Sequence, residues 1–320
     1  MIKFLSKIIF LFLIFLALDQ GLGRVAEYYF LKTRDGDTGG QVNGLLEKRA
    51  PVLVFGSSRA EGQYAPDVLK LSLGSDVFNV GFKGANSIYD YAVLGILLQK
   101  YTPTLIIYDF STVTIRKSKG NRYEKLEPLY PFWRNAFVWD LIKRKSIFEP
   151  IFFLSRLYPY NSKLHSIVMF NILKNRPGAS NGYFPQHSVM RPTPLLEQQK
   201  TNANERDLLL IDYYKKFISL AKERGIKVVV VCSPRYSTGA YDIPEDIIQY
   251  LDEMSVPFLD FDLKNYPQFN DYKLYKDLDH LNHIGSAIFS DLLGKQISTL
   301  HLISPRRESG YREELGEHKN

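Results

Sequence analysis

The chain has 320 residues, of which 45% are hydrophobic and 23% are charged, and its formal net charge is +7. This composition is close to the globular average and excludes a disordered or fibrous protein. Cys232 is the only cysteine, which excludes a disulfide framework, C-x-x-C redox chemistry and a multi-cysteine zinc site.

The N-terminal residues carry the pattern of an export signal. Lys3 and Lys7 precede an uninterrupted apolar run over residues 8–18. No small-x-small cleavage site follows this run. Since residues 25–31 can extend the helix, we predict an uncleaved signal anchor over residues 1–31. A cleaved signal peptide and a buried helix of a cytosolic protein are the alternatives. By the positive-inside bias, the protein would cross the inner or plasma membrane once, with the rest of the chain periplasmic or extracellular.

Beyond a polar linker, predicted over residues 32–49, strand and helix patterns alternate. This alternation predicts the α/β class, as a flavodoxin-like three-layer α/β/α sandwich around a five-stranded parallel sheet. Apolar runs without alternation suit strands that are covered on both faces. The predicted strands are 52–55, 77–80, 105–110, 226–232 and 257–261. The predicted helices are 66–73, 87–100, 206–224, 244–253 and 284–297.

The predicted domain spans residues 50–298 and carries an insertion over residues 116–206, after the third strand. A tail over residues 299–320 is predicted to be disordered. The insertion holds sixteen Lys and Arg against six Asp and Glu, a balance of +10, and both tryptophans, Trp133 and Trp139. The insertion therefore carries more than the whole net charge of the chain.

Ligands of parallel α/β sheets bind beyond the carboxyl ends of the strands. Ser58 follows the first predicted strand, Gly84 follows the second, and Asp277 and His280 follow the fifth. A serine hydroxyl becomes nucleophilic when a histidine takes its proton and a carboxylate orients that histidine. We therefore predict Ser58 as nucleophile, His280 as base and Asp277 as the orienting acid, favoured over Asp279 on spacing. The backbone N–H groups of Ser58 and Gly84 are candidate oxyanion donors.

Three blocks of the chain resemble the SGNH (GDSL-like) hydrolase superfamily, in particular its membrane-anchored bacterial branch with G-S-S-R in the first block. The blocks are Gly56-Ser57-Ser58-Arg59, Asn79-Val80-Gly81-Phe82-Lys83-Gly84 and Asp277-Leu278-Asp279-His280-Leu281-Asn282. The resemblance implies that Ser58 is the nucleophile, that Gly84 is an oxyanion donor, and that the last block supplies the acid and the base.

One departure from the family pattern affects the oxyanion hole. The third block of the family ends its strand with Gly-x-Asn-Asp, and that Asn donates to the oxyanion. The equivalent stretch here, residues 108–113, lacks it. Thr112 or Asn86 is a candidate substitute, as is Ser111, or the hole has backbone donors alone. Loss of one such donor costs about 10²–10³ in rate.

Rival sites match the sequence poorly. An α/β-hydrolase needs G-x-S-x-G after several strands, whereas Ser58 follows the first strand and Ala60 occupies the last glycine position. A dinucleotide site needs G-x-G-x-x-G, and residues 56–62 lack the second glycine. A metal site of His283 with residues 277–280 lacks an outlying ligand cluster, so we predict no metal and no cofactor.

The basic, aromatic insertion suits an anionic glycan, a lipid headgroup surface or nucleic acid, and export argues against nucleic acid. A helical subdomain with an ordinary core is the alternative. Arg59, Asn181, His187 and Arg191 are candidate substrate contacts, although Arg59 could instead pair with a core carboxylate.

Together these features predict an extracytoplasmic serine O-acyl esterase or O-acyltransferase that acts on a cell-envelope or exported glycan. Its expected partners are an acylated carbohydrate or other ester, the membrane through the N-terminal helix, and envelope polysaccharide-modification proteins. The alternative is a non-catalytic envelope assembly factor that binds acylated polymer.

Overall fold

The computed structural model describes residues 1–36, 38–117, 120–174, 176, 178–197, 206–238 and 243–303. The predicted tail lies outside these residues from position 304 onward. The described strands are β1 (Val52–Phe55), β2 (Val77–Asn79), β3 (Leu105–Asp109), β4 (Leu196–Glu197), β5 (Lys227–Cys232), β6 (Ser237–Thr238) and β7 (Phe258–Asp260). The described helices are α1 (Ile2–Phe30), α2 (Gly40–Lys48), α3 (Ser58–Gln63), α4 (Pro66–Leu73), α5 (Ser87–Leu98), α6 (Ala136–Lys143), α7 (Glu149–Phe152), α8 (Leu164–Leu173), α9 (Leu208–Glu223), α10 (Glu245–Glu253) and α11 (His283–Thr299).

Five of the strands form one parallel sheet in the order β2-β1-β3-β5-β7, while β4 and β6 pair separately. In the register of the sheet, Val54 lies between Asn79 of β2 and Ile107 of β3. Without the two short strands this is the 2-1-3-4-5 order of flavodoxin-like sheets, whose ligand crevice lies where the order reverses, next to β1. The predicted five-stranded parallel sheet is confirmed, and each strand ends within one residue of its predicted bounds.

Helices cover both faces of the sheet. Because side chains alternate along a strand, Leu53 and Phe55 of β1 enter one core with α5 and α9, whereas Val52 and Val54 enter a second core with α4 and α11. All four residues are fully buried. The chain therefore has the three-layer α/β/α arrangement predicted from the sequence.

Asparagine and aspartate caps fix where three of these helices begin. Asn86 accepts a backbone hydrogen bond at the start of α5, Asp207 does so for α9, and Asn282 accepts two at the start of α11. Such caps satisfy N–H groups that have no partner inside the helix. The cap at Asn282 also fixes the chain two residues after His280.

Residues 32–49 do not form the polar linker that we predicted. They include α2, whose Val42 and Leu45 are buried in the same core as α5. Gln41 Nε2 donates to two backbone carbonyls at the end of β2, at 2.9 and 3.1 Å. The prediction was wrong because small and polar residues, typical of linkers, serve here for close packing: a Cβ atom at Gly40 would lie 2.3 Å from a backbone oxygen.

The insertion after β3 is helical, as predicted, with 3₁₀ helices at Arg122–Phe132 and Tyr158–Lys163 beside α6, α7 and α8. The ring centroids of Trp133 and Trp139 are 5.9 Å apart, and Phe153 lies 5.3 Å from Trp139. These rings pack on one another, which favours the helical-subdomain interpretation over an open stacking surface.

Helix α1 is attached to the insertion through its C-terminal half. Asp19 accepts a hydrogen bond from the Arg156 N–H at 2.9 Å. Glu27 pairs with Arg134 at 2.5 Å and with Arg156 at 2.7 Å. A Cβ atom at Gly23 would lie 2.7 Å from the Arg156 backbone, so the helix and the insertion are in close contact here.

The N-terminal half of α1 makes no comparable contacts. Its large apolar side chains between Met1 and Leu18 are exposed, with Phe10 at 64% and Phe15 at 69%. In the part of the chain that the structure describes, no helix combines the length and the apolar character needed to cross a membrane.

Candidate active site

Ser58 begins α3 directly after a tight turn at the end of β1. Gly56 in this turn has φ +138°, and a Cβ atom there would lie 3.0 Å from both Ala60 Cβ and the Asp109 carbonyl oxygen. Ser57 occupies the N-cap position of α3 but gives no side-chain cap hydrogen bond. The first N–H groups of α3, including that of Ser58, are therefore not covered by a capping side chain.

Two short contacts join the three residues predicted to act in catalysis. Ser58 Oγ lies 2.8 Å from His280 Nε2, and His280 Nδ1 lies 2.8 Å from Asp277 Oδ1. The His280 side chain is 26% exposed, so the ring is held by its neighbours and yet accessible. The structure thus brings together a serine and a histidine that are far apart in the sequence.

The turn that carries Asp277 and His280 is held in shape by its own hydrogen bonds. Asp277 Oδ1 accepts from the N–H groups of Asp279 (2.9 Å) and His280 (3.0 Å). Partial burial acts to raise the pKa of Asp277, but hydrogen bonds from the His280 ring and from the Asp279 N–H keep it below its ordinary value. This carboxyl is therefore ionised when it accepts from the imidazole.

Asp279 takes another partner, since its Oδ1 lies 2.8 Å from an Arg235 nitrogen. This geometry agrees with our preference for Asp277 as the orienting acid. Among the described residues, no group of three or more His, Cys, Asp and Glu side chains is arranged to hold a metal ion.

The glycine turn after β2 packs against α3. A Cβ atom at Gly81 would lie 2.4 Å from the Glu61 nitrogen, so only glycine fits this contact. Asn79 fixes the turn: its Oδ1 accepts from the Gly81 N–H at 2.9 Å, and its Nδ2 donates to the Ala60 carbonyl at 2.6 Å. Gly84, the predicted oxyanion donor, is exposed and has φ +76°.

The candidate side-chain oxyanion donors differ in how they are engaged. Asn86 caps α5 through Oδ1 and donates from Nδ2 to the Arg122 carbonyl at 3.0 Å, so its amide is committed to these two contacts. Thr112 and Ser111 are buried beside the end of β3. Neither side chain has the planar amide that the family pattern places here.

Arg59, predicted as a substrate contact, points into the protein and is only 4% exposed. Its guanidinium donates to Ser233 Oγ and to the Ser233 carbonyl, both at 2.7 Å, and lies 3.5 Å from Asp109 Oδ1. Asp109 Oδ1 also accepts from Tyr64 at 2.6 Å and from Ser233 Oγ at 2.7 Å. Our substrate-binding prediction for Arg59 is therefore corrected in favour of the core carboxylate.

The other three predicted contacts lie on the returning loop of the insertion, and one of them, His187, lies beside His283, three residues after His280. The rings of His187 and His283 are 4.6 Å apart, and the His283 N–H donates to the Gln186 carbonyl at 2.7 Å. Asn181 donates instead to Asp67 on α4, at 3.2 Å. Arg191 is exposed, and within the described ranges of the chain it makes no hydrogen bond to the triad.

Sequence reasoning missed the residues that support the site from beneath. Gln63 Nε2 donates to the Asp279 carbonyl at 2.9 Å and so ties α3 to the turn of Asp277 and His280. Asp109 and Ser233 hold Arg59, the neighbour of Ser58. Asp109 and Ser233 lie at the ends of strands, so their role could have been predicted from the sequence. No sequence feature indicates the role of Gln63.

Comparison with known proteins gives little further information. No protein-family model matches the chain, and no curated protein does. Among solved structures, the chain is similar to a candidate acylhydrolase from Bacteroides fragilis, with 16% identity over 79% of this chain and 88% of that one and a TM-score of 0.36. It is also similar to a gut microbial diltiazem-metabolizing enzyme, with 15% identity over 77% and 46% of the two chains and a TM-score of 0.28. At these scores the likenesses do not establish the activity.

Proposed function

We propose that the protein is an SGNH-type serine enzyme that hydrolyses or transfers an O-acyl group of a cell-envelope or exported glycan. The observation that carries this proposal is the pair of 2.8 Å contacts that links Ser58 Oγ to His280 and His280 to Asp277. In this arrangement Nδ1–H of the imidazole donates to the carboxylate, which leaves the Nε2 lone pair to accept the serine proton.

The first half-reaction acylates the serine. Ser58 Oγ attacks the ester carbonyl carbon as its proton passes to His280 Nε2. The backbone N–H groups of Ser58 and Gly84 stabilise the oxyanion of the tetrahedral intermediate. Collapse of the intermediate breaks the bond to the alcohol oxygen, which takes the proton from His280 and leaves, while the acyl group remains on Ser58.

The second half-reaction releases the acyl group. An acceptor hydroxyl gives its proton to His280 and attacks the acyl carbon, after which Ser58 leaves and recovers that proton. With water as acceptor the enzyme is an esterase, and with a sugar hydroxyl it is a transferase. Acetyl release from an activated ester, measured with and without added glycan, separates the two: loss of the donor without acylated glycan excludes transfer under those conditions.

Covalent labelling of Ser58 tests the proposal directly. A fluorophosphonate probe should label the wild-type protein but not Ser58→Ala, because the activated hydroxyl is the atom that reacts. Ser57→Ala is the matched control, since Ser57 is adjacent but makes no contact with His280, and it should be labelled like the wild type. A wild type that is neither labelled nor active on esters would favour the non-catalytic envelope factor, and ester hydrolysis retained by Ser58→Ala would refute Ser58 as the nucleophile.

We propose further that α1 holds the protein at a membrane, with the catalytic domain outside the cytoplasm. Half of the exposed large hydrophobic residues in the described chain lie on this helix, and a helix that is apolar on all sides is unstable in water. The wild type should sediment with membranes, and a variant without residues 2–18 should be released while Ser58 remains reactive. A released wild type would contradict the role of α1, and a C-terminal reporter active only in the cytoplasm would contradict the topology.

A further inference from the structure

A polar cleft of about 370 Å³ lies beside the glycine turn that follows β2. The turn contributes Phe82 and Lys83 to its wall, and the insertion contributes Lys125 and Lys163 from its two 3₁₀ helices. Thr38, which precedes α2, completes one side. The cleft is therefore formed where the domain and its insertion meet, outside the Ser58, His280 and Asp277 triad.

Two buried polar groups in the wall have unused hydrogen-bonding capacity. Lys163 is 4% exposed, and in the described part of the chain its amine has one hydrogen bond, to Ser162 Oγ at 3.1 Å, and no ion pair. Thr38 is 5% exposed, and its Oγ1 finds no hydrogen-bond partner among the described residues. Buried donors with unused hydrogen-bonding capacity are costly, so two of them around one cleft indicate a ligand that supplies acceptors.

The charges around the cleft favour an anion. Lys83 and Lys125 are exposed where they line the cleft, and Lys163 is buried in its wall. Two carboxylates, Glu124 and Glu127, also line the cleft, but Glu127 is bridged by Lys145 at 3.2 Å. A ligand group with a negative charge would gain charge-assisted hydrogen bonds from the lysine amines.

Aromatic rings next to these lysines favour a sugar as the carrier of the charge. The half-buried Phe82 ring forms part of the wall and is stacked on Tyr89, with centroids 4.8 Å apart. A smaller adjoining cavity of about 180 Å³ shares Lys163 and is lined by the half-buried Tyr158. Fixed aromatic faces beside hydrogen-bonding groups suit the apolar face and the hydroxyls of a pyranose.

The cleft and the triad share the glycine turn as a common wall. The Phe82 N–H donates to the Gly56 carbonyl at 3.0 Å, which places the turn against the residues that lead to Ser58. On the other side, Lys125 Nζ lies 3.5 Å from the position that a Cβ atom of Gly84 would occupy. A ligand in the cleft therefore lies next to the residue whose N–H is the proposed oxyanion donor.

We propose that this cleft binds a sugar unit that carries an anionic group. We propose also that this sugar unit is part of the glycan whose ester reacts at Ser58. The second part rests on the proposed function; the binding itself does not. Lys163 and Thr38 donate to the anionic group, Lys83 and Lys125 attract it, and Phe82 supports the ring.

Equilibrium binding to the full-length protein in detergent tests the assignment. Isothermal titration with hexagalacturonate supplies sugars with carboxylates, maltohexaose supplies neutral sugars, and inorganic phosphate supplies an anion without sugar. Hexagalacturonate should bind at least about tenfold more tightly than either of the others, since each charge-assisted hydrogen bond lost costs roughly that factor. Equal binding of maltohexaose, or a site saturated by phosphate alone, overturns the proposal.

Substitutions locate the binding in the cleft. Lys163→Met should weaken hexagalacturonate binding about tenfold by removing the buried amine, and Lys295→Gln, an exposed lysine on α11 paired with Asp291, should leave it unchanged. Thr38→Val removes the hydroxyl but keeps the size of the side chain. If Lys163→Met does not fold, weaker hexagalacturonate binding by Thr38→Val tests the same site. Equal affinity in both cleft variants and the wild type would overturn the assignment.

Fluorophosphonate labelling separates this proposal from the proposed function. A wild type that is labelled at Ser58 but does not bind hexagalacturonate refutes the cleft assignment alone. A wild type that binds hexagalacturonate through Lys163 but is not labelled supports the binding site and refutes the serine chemistry.

Discussion

Replacing Asp109 with asparagine removes the charge at the centre of the buried network beneath Ser58. Asp109 Oδ1 accepts from Tyr64 and Ser233 and faces the Arg59 guanidinium at 3.5 Å. Asparagine keeps an acceptor but places an amide N–H₂ where Oδ2 has no hydrogen-bond partner. Leaving a buried guanidinium without its opposite charge costs about 3–5 kcal/mol, so we expect the free energy of unfolding to fall by about 3 kcal/mol or more.

Urea denaturation followed by circular dichroism measures this loss as a lower midpoint at an unchanged m-value. Asp140→Asn is the matched control, because Asp140 pairs with Arg144 on the surface, where its side chain is 52% exposed. Such an exposed pair contributes about 0–1 kcal/mol. Both substitutions replace a carboxylate by an amide. The difference between their losses in free energy of unfolding therefore measures the effect of burial.

A double-mutant cycle with Arg59→Met shows whether the two buried residues interact. Coupling between members of one hydrogen-bonded network is about 0.5–3 kcal/mol. A loss below about 1 kcal/mol for Asp109→Asn, together with a coupling of zero, would refute the network. If Arg59→Met instead left stability unchanged and raised KM, the substrate-binding role of Arg59 would be restored.

Asp277→Asn should lower the kcat of ester hydrolysis about 10³–10⁴-fold, since the imidazole then loses its orienting acceptor. Because the pKa of Asp277 lies below its ordinary value, protonation of this carboxyl should not reduce the wild-type rate until the pH is below about 4; an unchanged kcat in the variant contradicts its role. Burial raises the pKa of Asp90 to about 7, so the folded protein holds a proton that the unfolded chain releases from about pH 4 upward, and stability should fall as the pH rises toward 7. Urea titrations between pH 5 and 7 should show a steeper slope in the wild type than in Asp90→Asn, where burial of Asp260, which raises its pKa to about 6, leaves a smaller slope; equal slopes in the two proteins would contradict the role of Asp90. Gly182 has φ +80°, and a Cβ atom there would lie 1.9 Å from the Asn79 carbonyl oxygen, so Gly182→Ala should cost about 2 kcal/mol or more. Gly21→Ala, with no atom within 4 Å outside the backbone of its own helix, should not lower the thermal midpoint, since alanine is the better helix former, and equal midpoints for the two variants would contradict this packing.

The sheet could be predicted because its signals are local. The strands of the main sheet are short and mainly apolar, as in Lys227–Cys232, whose four consecutive valines are all buried. Once the strand order is assumed, Ser58 and His280 must lie at one edge, and their 2.8 Å contact agrees with that expectation.

The supporting contacts could not be predicted because they depend on partners far away in the sequence. Arg59 follows Ser58, but its side chain turns to Asp109 and Ser233 instead of the solvent, and its own sequence neighbours do not show this. The error at residues 32–49 has the same origin, since Gly40 resembles a linker residue until the atoms packed against it are known.

The attachment of α1 through Asp19 and Glu27 has a consequence for which substrates can react. A helix that is fixed to the domain at two points cannot swing. If its free half is embedded in a membrane, as we propose, α1 would set the height and the tilt of the edge that carries Ser58 above that surface. The fixed segment, residues 19–30, is about 18 Å long at 1.5 Å per residue. A glycan would then be modified according to its distance from the membrane as well as its chemistry, and a long polymer would be modified only where it passes through that layer.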